Sequence, residues 1–135
     1  MSVFFKLVMG HMVGDYMLQG KTMATDKGQS NTLKGWGWCI LHCVLYTLSI
    51  CLFLWHIDLF FFVGIFFSHF IVDKFSLASI WLKMIRGRTF EDAMNESNEE
   101  KRPFSIAFAC IVYVAVDNTM HFLLMWPVLI WAGIV

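Results

Sequence analysis

Charge is scarce in this chain, and what there is cancels. Lys and Arg number ten, Asp and Glu ten, and only 15% of the 135 residues are charged. No basic face remains to neutralise phosphates, so nucleic acid is not an expected partner. The charges also cluster, leaving long runs without Lys, Arg, Asp or Glu. With 59% hydrophobic residues, 17% aromatics and a mean hydropathy of +0.65, the chain is too apolar for a soluble domain of this size. Familiar catalytic signatures are also missing: there is no G-x-S-x-G elbow, P-loop, dinucleotide fingerprint or H-E-x-x-H motif. The four cysteines, Cys39, Cys43, Cys51 and Cys110, lie in apolar segments and read as small packing residues rather than disulfide partners. Cys39, His42 and Cys43 form a run that could ligate metal, but it lacks the second half of a zinc-finger pattern.

What is present reads as one membrane-embedded helical domain over residues 1–135: an all-α integral membrane protein with about four transmembrane helices in a bundle. The first apolar segment, residues 2–19, carries His11 and Asp15 where a signal peptide would be uninterrupted, so it reads as the first helix. Residues 21–35, rich in Lys, Thr, Gly and Ser, read as a loop. The run 36–55 has the length of a membrane span. Residues 56–58 leave room only for a tight turn before an antiparallel return over 59–75. A short amphipathic, surface-lying helix is expected near 76–85, with Leu77, Ile80, Trp81 and Met84 on one side. Residues 86–102 mix both signs of charge and read as a solvated segment. Pro103 suits a helix start, and the apolar sequence that follows exceeds one bilayer crossing. Pro127 should kink its outer end.

Lys and Arg asymmetry sets the expected orientation. Lys21, Lys27 and Lys34 follow the first helix, and Lys83, Arg86, Arg88, Lys101 and Arg102 follow the third, while the turn near Asp58 has neither residue type. Both positive segments should face the cytoplasm and both termini the outside, with Lys6 weighing against. The implied location is the cell membrane, crossed several times, which in a bacterium is the inner membrane.

Within the apolar runs, ionisable residues recur at a four-residue spacing: His11 with Asp15, His69 with Asp73, Asp117 with His121. Each pair shares one helix face, and intramembrane ionisable groups usually mark a functional interior. His42 makes a seventh polar group. Counted from the cytoplasmic helix ends, His11, Asp15, His42, His69 and Asp73 fall roughly 3 to 14 Å deep at 1.5 Å per residue. Asp117 and His121 come level with them if the last helix enters the membrane near Cys110 rather than Pro103. Small residues flank the polar ones in small-x-x-x-small pairs, Gly10 with Gly14, Gly64 with Ser68 and Ala115 with Thr119, which suits close helix approach.

Three buried carboxylates need compensation, and no Lys or Arg lies within the inner stretches. Protonation, His⁺–Asp⁻ pairing or a bound cation would each supply it. Pairing leaves His42 over, whereas a divalent metal uses His11, Asp15, His42, His69, Asp73, Asp117 and His121 together. Mixed imidazole and carboxylate ligands suit Zn, Mn or Fe, as one or two ions. Gln19, four residues beyond Asp15, is a candidate substrate-binding amide. Asn118 reads as a cap or headgroup contact and His56 as interfacial.

The run His11-Met12-Val13-Gly14-Asp15-Tyr16-Met17-Leu18-Gln19 resembles the H-x-x-x-D-[FY]-x-x-Q opening of a family of small bacterial and phage membrane proteins, catalogued as domain of unknown function 3307. Leu41-His42, His69 to Asp73 and Asp117 to His121 match its pattern in order, with Asn118 where the family typically has Gln. That pattern is in turn similar to a group of membrane-bound metal-dependent hydrolases, whose intramembrane His and Asp are thought to hold metal. Three functions are therefore carried forward. One is a metal-dependent hydrolase acting on a lipid headgroup or small molecule at the cytoplasmic face, with Asp15 or Asp73 as general base. The second is an ion or proton transporter or relay, which would need an oligomer. The third is a small non-enzymatic membrane effector, bacterial or phage-encoded, whose polar cluster only holds the bundle together.

Overall fold

A computed structural model describes residues 2–29, 32–86 and 89–135. Arg88 and the Arg86 side chain, both counted among the positive charges, lie outside the described residues, as do residues 30–31 of the polar segment. The described residues form helices and no strands, as the apolar runs imply. Helix α1 spans Val3–Met12 and passes into a π-helical turn over Val13–Met17. Next come α2 (Lys21–Gln29), α3 (Leu33–Leu54), α4 (Leu59–Phe75), α5 (Leu77–Trp81), α6 (Phe90–Met94) and α7 (Arg102–Trp131). α3 packs against α1 and α4, and α4 packs against α7.

Among the described residues two helices, α3 and α7, are long and apolar enough to cross a membrane, or three spans if α4 and the helix that follows it count as one. This is fewer than the four expected. α1 with its π turn has ten plus five residues, or about 22 Å at 1.5 Å per residue, short of a hydrocarbon core of about 30 Å. α4 bends by 53° into the following helix, at Ser76, whose φ of 49° is left-handed. That second helix occupies the stretch expected to lie along the surface. It buries Ala78 and Leu82 while exposing Ile80, Trp81 and Met84. Exposed apolar side chains are numerous elsewhere too, including Phe4, Leu52, Phe60, Phe67, Leu123 and Trp131, and contiguous surfaces of this kind mark contact with lipid or protein.

The segment expected to be a loop after α1 contains α2. Its composition favours helix weakly, and its stability comes from packing: it lies on α3 and α4 with Met23 buried. Within the solvated segment, α6 is a single capped turn. Thr89 Oγ1 accepts from the Asp92 backbone N–H (3.2 Å), and Asp92 Oδ2 accepts from the Thr89 N–H (2.8 Å), a reciprocal capping box. α7 continues through Pro127 without a break.

The core of Leu7, Tyr46, Ile50, Phe61, Ile65, Met125 and Leu129 joins α1, α3, α4 and α7. Small residues set how closely these helices meet. A Cβ on Gly14 would lie 2.7 Å from Tyr46 Cδ2 and 3.1 Å from Tyr46 Cα, and one on Gly10 would lie 3.2 Å from Ile50 Cα. Gly64 meets Val128 in the same way, at 2.7 Å from Cγ1. Ala115 and Thr119 differ from the other pairs: both are exposed on α7, and the Thr119 hydroxyl donates back to the Ala115 carbonyl (2.7 Å).

Gly14→Ala should therefore force α1 away from α3 and destabilise the bundle by about 1–3 kcal/mol. Gly20→Ala meets nothing within 4 Å and should be neutral. Thermal unfolding of both variants in detergent checks this, and equal melting temperatures would remove the close-packing account.

Candidate metal centre

Each i, i+4 pair closes within its own helix. His11 Nδ1 lies 3.5 Å from Asp15 Oδ2, His69 Nε2 3.2 Å from Asp73 Oδ2, and His121 Nδ1 3.7 Å from Asp117 Oδ2. The helices then carry these pairs to one level. α7 brings His121 Nε2 to 3.6 Å from Asp73 Oδ1, and the part of α7 before the site packs on α6, with Phe90 against Tyr113. The π turn also contributes: Leu18 N–H bonds to the Val13 carbonyl five residues back (3.0 Å). Such a widened turn re-aims the side chains within it, and π turns are frequent at functional sites. Asp15 sits in it.

His42, which has no carboxylate partner on α3, is the junction. Its Nε2 lies 3.1 Å from Asp15 Oδ1, 3.1 Å from Asp73 Oδ2 and 2.9 Å from His69 Nε2. His69 Nε2 is in turn 3.4 Å from Asp15 Oδ1 and 3.2 Å from Asp73 Oδ2. These four atoms enclose a small tetrahedron. A tetrahedral ion with ligands at about 2.0 Å would have edges of about 3.3 Å, close to the five separations given. Two imidazole nitrogens 2.9 Å apart cannot both direct a hydrogen at each other, so at least one presents a lone pair. The Nδ1 atoms of His42 and His69 are buried without hydrogen-bond partners, so no bond there dictates which Nε2 is protonated. Asp15, His42, His69 and Asp73 form one group able to hold a metal ion, and Asp15, Asp117 and His121 form a second.

His11 belongs to neither group. Both ring nitrogens are already engaged, Nδ1 with the Tyr46 hydroxyl (2.8 Å) and Nε2 with Asn118 Oδ1 (2.7 Å). Asn118 is therefore not a cap or headgroup contact. Its carbonyl oxygen also accepts from the Tyr16 hydroxyl (3.0 Å), and it ties α7 to α1. Cys39 and Cys43 are buried and free, and neither is in a His/Asp group. His56 sits at the α3–α4 turn, 3.3 Å from Asp58, remote in sequence and element from the cluster.

The sequence left three residues out of the site. Tyr46 is fully buried, stacks on His69 with ring centroids 3.6 Å apart, and touches both His11 and Met125 Sδ (3.2 Å). Its signal was legible, since it stands four residues after His42, the same spacing as the three pairs. Lys27 was assigned to a loop, yet α2 carries its ammonium to 2.6 Å from Asp73 Oδ2. The inner site thus has one Lys after all, and one ammonium against three carboxylates leaves two for protons or a cation to neutralise. Gln19, with its amide oriented to satisfy both ends, donates to the Asp15 carbonyl (2.9 Å) and accepts from Lys27 Nζ (2.8 Å). Tyr16, third of the group, lies beside Asn118.

A cleft of about 440 Å³ opens beside these groups, with Asp15, Gln19, Lys27, Asp73, Tyr113 and Asp117 among its lining residues. Toward the α3–α4 turn the bundle is closed by Ile50, Phe61, Ile65 and Leu129, all fully buried. Access is therefore from the α2 and α5 side.

No curated protein and no solved structure matches the chain, and the similarity to membrane-bound metal-dependent hydrolases finds no support there. A family model described as protein of unknown function (DUF3307) matches residues 3–134, and the chain belongs to that family.

Proposed function

We propose that this chain is a multi-pass membrane protein that holds a divalent transition-metal ion, Zn, Mn or Fe, inside its helical bundle and hydrolyses a substrate at the cytoplasmic membrane face. The observation that carries this reading is the tetrahedron of His42 Nε2, His69 Nε2, Asp15 Oδ1 and Asp73 Oδ2, five of whose six separations are 2.9 to 3.4 Å. Nitrogen and carboxylate ligands at such distances suit a borderline first-row ion better than Ca²⁺ or Mg²⁺. An ion held there would lower the pKa of a bound water toward neutrality and supply a nucleophile.

The chain's own residues divide the remaining work. Asp73 would hold the ion through Oδ2, and Asp15 or Asp73, both lining the cleft, would take the proton from water there. Tyr46, stacked on His69 and bonded to His11, fixes the imidazole plane. Lys27 and Gln19 face the cleft, where a lipid headgroup or small molecule would bind. The lysine-bearing segments around α2 and α5 lie toward the site's open side, and the positive-inside rule supports a cleft that faces the cytoplasm. The His42–His69 contact would also serve a proton relay, the second reading. One-sided access favours hydrolysis, because a relay across the membrane needs a polar path through the apolar end as well.

The detergent-purified protein should carry about one transition-metal ion per chain or more. His42→Ala should lose most of it, and His56→Ala should lose none, as measured by elemental analysis. Full occupancy in His42→Ala would remove the tetrahedron from the account.

Asp73→Asn keeps the side-chain shape but removes a charge and a base, and should lower turnover by about 10²-fold or more with the bundle still folded. Incubating metal-loaded protein with membrane extract of its host and comparing products by mass spectrometry tests this. Identical profiles for wild type and variant would remove lipid hydrolysis, and metal-dependent ion flux in liposomes would then favour transport.

A further inference from the structure

Asp15 and Asp73 each offer two carboxylate oxygens, and the fold turns them to different neighbours. One oxygen of each faces His42 and His69. The other Asp73 oxygen, Oδ1, lies 3.6 Å from His121 Nε2. Asp15 is also shared by the second group, in which its ligand atom lies within 4.8 Å of those of Asp117 and His121.

His121 reports its own protonation pattern. Its Nδ1 lies 2.8 Å from the Asp117 backbone carbonyl, and a carbonyl only accepts, so Nδ1 carries the hydrogen. The lone pair of the neutral ring is then on Nε2. That atom is buried with no hydrogen-bond partner, on a side chain with 0% exposure. A lone pair facing a buried carboxylate oxygen is unfavourable unless a proton or a cation stands between them, and a cation shared with Asp15 and Asp117 would fill that place. Lys27 does not meet that need, because its ammonium sits on the other oxygen of Asp73.

We propose that Asp15, Asp117 and His121 hold a second divalent cation, bridged to the first through Asp15, and that this two-ion centre receives a phosphate group from the cleft. The proposal rests on the metal reading of the first site. Charge points to the ligand class: two divalent ions and Lys27 exceed three carboxylates by two positive charges. Excess charge is costly in a low-dielectric interior, and a phosphate monoester, with two negative charges, balances it where a carboxylate would not. Paired ions clamp opposed oxygens of a phosphate, and a lysine is a common phosphate partner. Asp117, with 22% side-chain exposure, is the ligand nearest to open, and Tyr16, Ser79 and Tyr113 add hydroxyls to the cleft lining.

The test loads the full-length detergent-purified chain with Mn²⁺, counts ions after desalting and records the electron paramagnetic resonance spectrum. Wild type should hold two ions with the exchange-coupled signal of a pair about 3.5–4 Å apart. His121→Ala and Asp117→Asn should each hold one ion with an uncoupled six-line spectrum. Inorganic phosphate, or short-chain phosphatidic acid in mixed micelles, should perturb the coupled spectrum. A response to phosphate alone identifies a soluble ligand, and a response only to phosphatidic acid identifies a lipid headgroup. Lys27→Met should keep both ions and weaken that response by about tenfold, the worth of one charge-assisted hydrogen bond. One ion in wild type, still present in His121→Ala, overturns the second site while leaving the first. No ion at all overturns both, and a coupled pair indifferent to either phosphate probe overturns the ligand. If the variants fail to fold, the wild-type spectrum decides the second site.

Discussion

Buried carboxylates govern this bundle. Asp15 and Asp73 are largely buried, touching water only along the cleft, and leaving such a charge unpaired costs several kcal/mol. Every helix that forms the site supplies part of the compensation. α1 and α4 carry their own imidazoles one turn from each acid, α3 inserts His42 between the acids, α7 brings His121, and α2 delivers Lys27. The bundle is held in register as much by this polar knot as by its apolar core. Lipid tails are as apolar as Leu, so in a membrane the hydrophobic effect distinguishes poorly between helix pairings.

Geometry around the knot explains the small residues and the buried tyrosine together. Gly10 and Gly14 bring α1 against Ile50 and Tyr46, and Ser49 seals the contact by donating to the Gly10 carbonyl (2.8 Å). At that separation the Tyr46 ring lies flat on His69 and its hydroxyl reaches His11. His11 extends the chain of contacts to Asn118 and Tyr16. Residues in this second layer touch no candidate ion, yet they fix the rings that would. Outer partners of this kind set ligand orientation and basicity in metal sites.

Much of the site was legible because helical spacing and depth are simple. The four-residue repeats put each His beside its Asp, whereas counting along the helices left Asp117 and His121 level with the others only for one of two entry points of α7. What escaped depended on contacts that no local pattern encodes. Lys27 looked like a loop residue because α2 has weak intrinsic helicity and is held by packing on α3 and α4. Asn118 looked peripheral until the rotation of α7 against α1 was known. Two helices, or three spans, meet the length and composition of a crossing where four were expected, for a related reason: apolar runs report composition, whereas the π turn that shortens α1 and the left-handed Ser76 that bends α4 are backbone events.

The central claim is that imidazole and carboxylate groups from the π turn after α1, from α3 and from α4 ligate a transition metal. X-ray absorption at the metal edge of the purified protein tests it most directly. The account predicts a first shell of nitrogen and oxygen at about 2.0–2.1 Å with the outer-shell scattering of at least two imidazoles. A sulfur shell at about 2.3 Å would move the ion to Cys39 and Cys43 and contradict the account, as would an absence of bound metal in protein that remains folded.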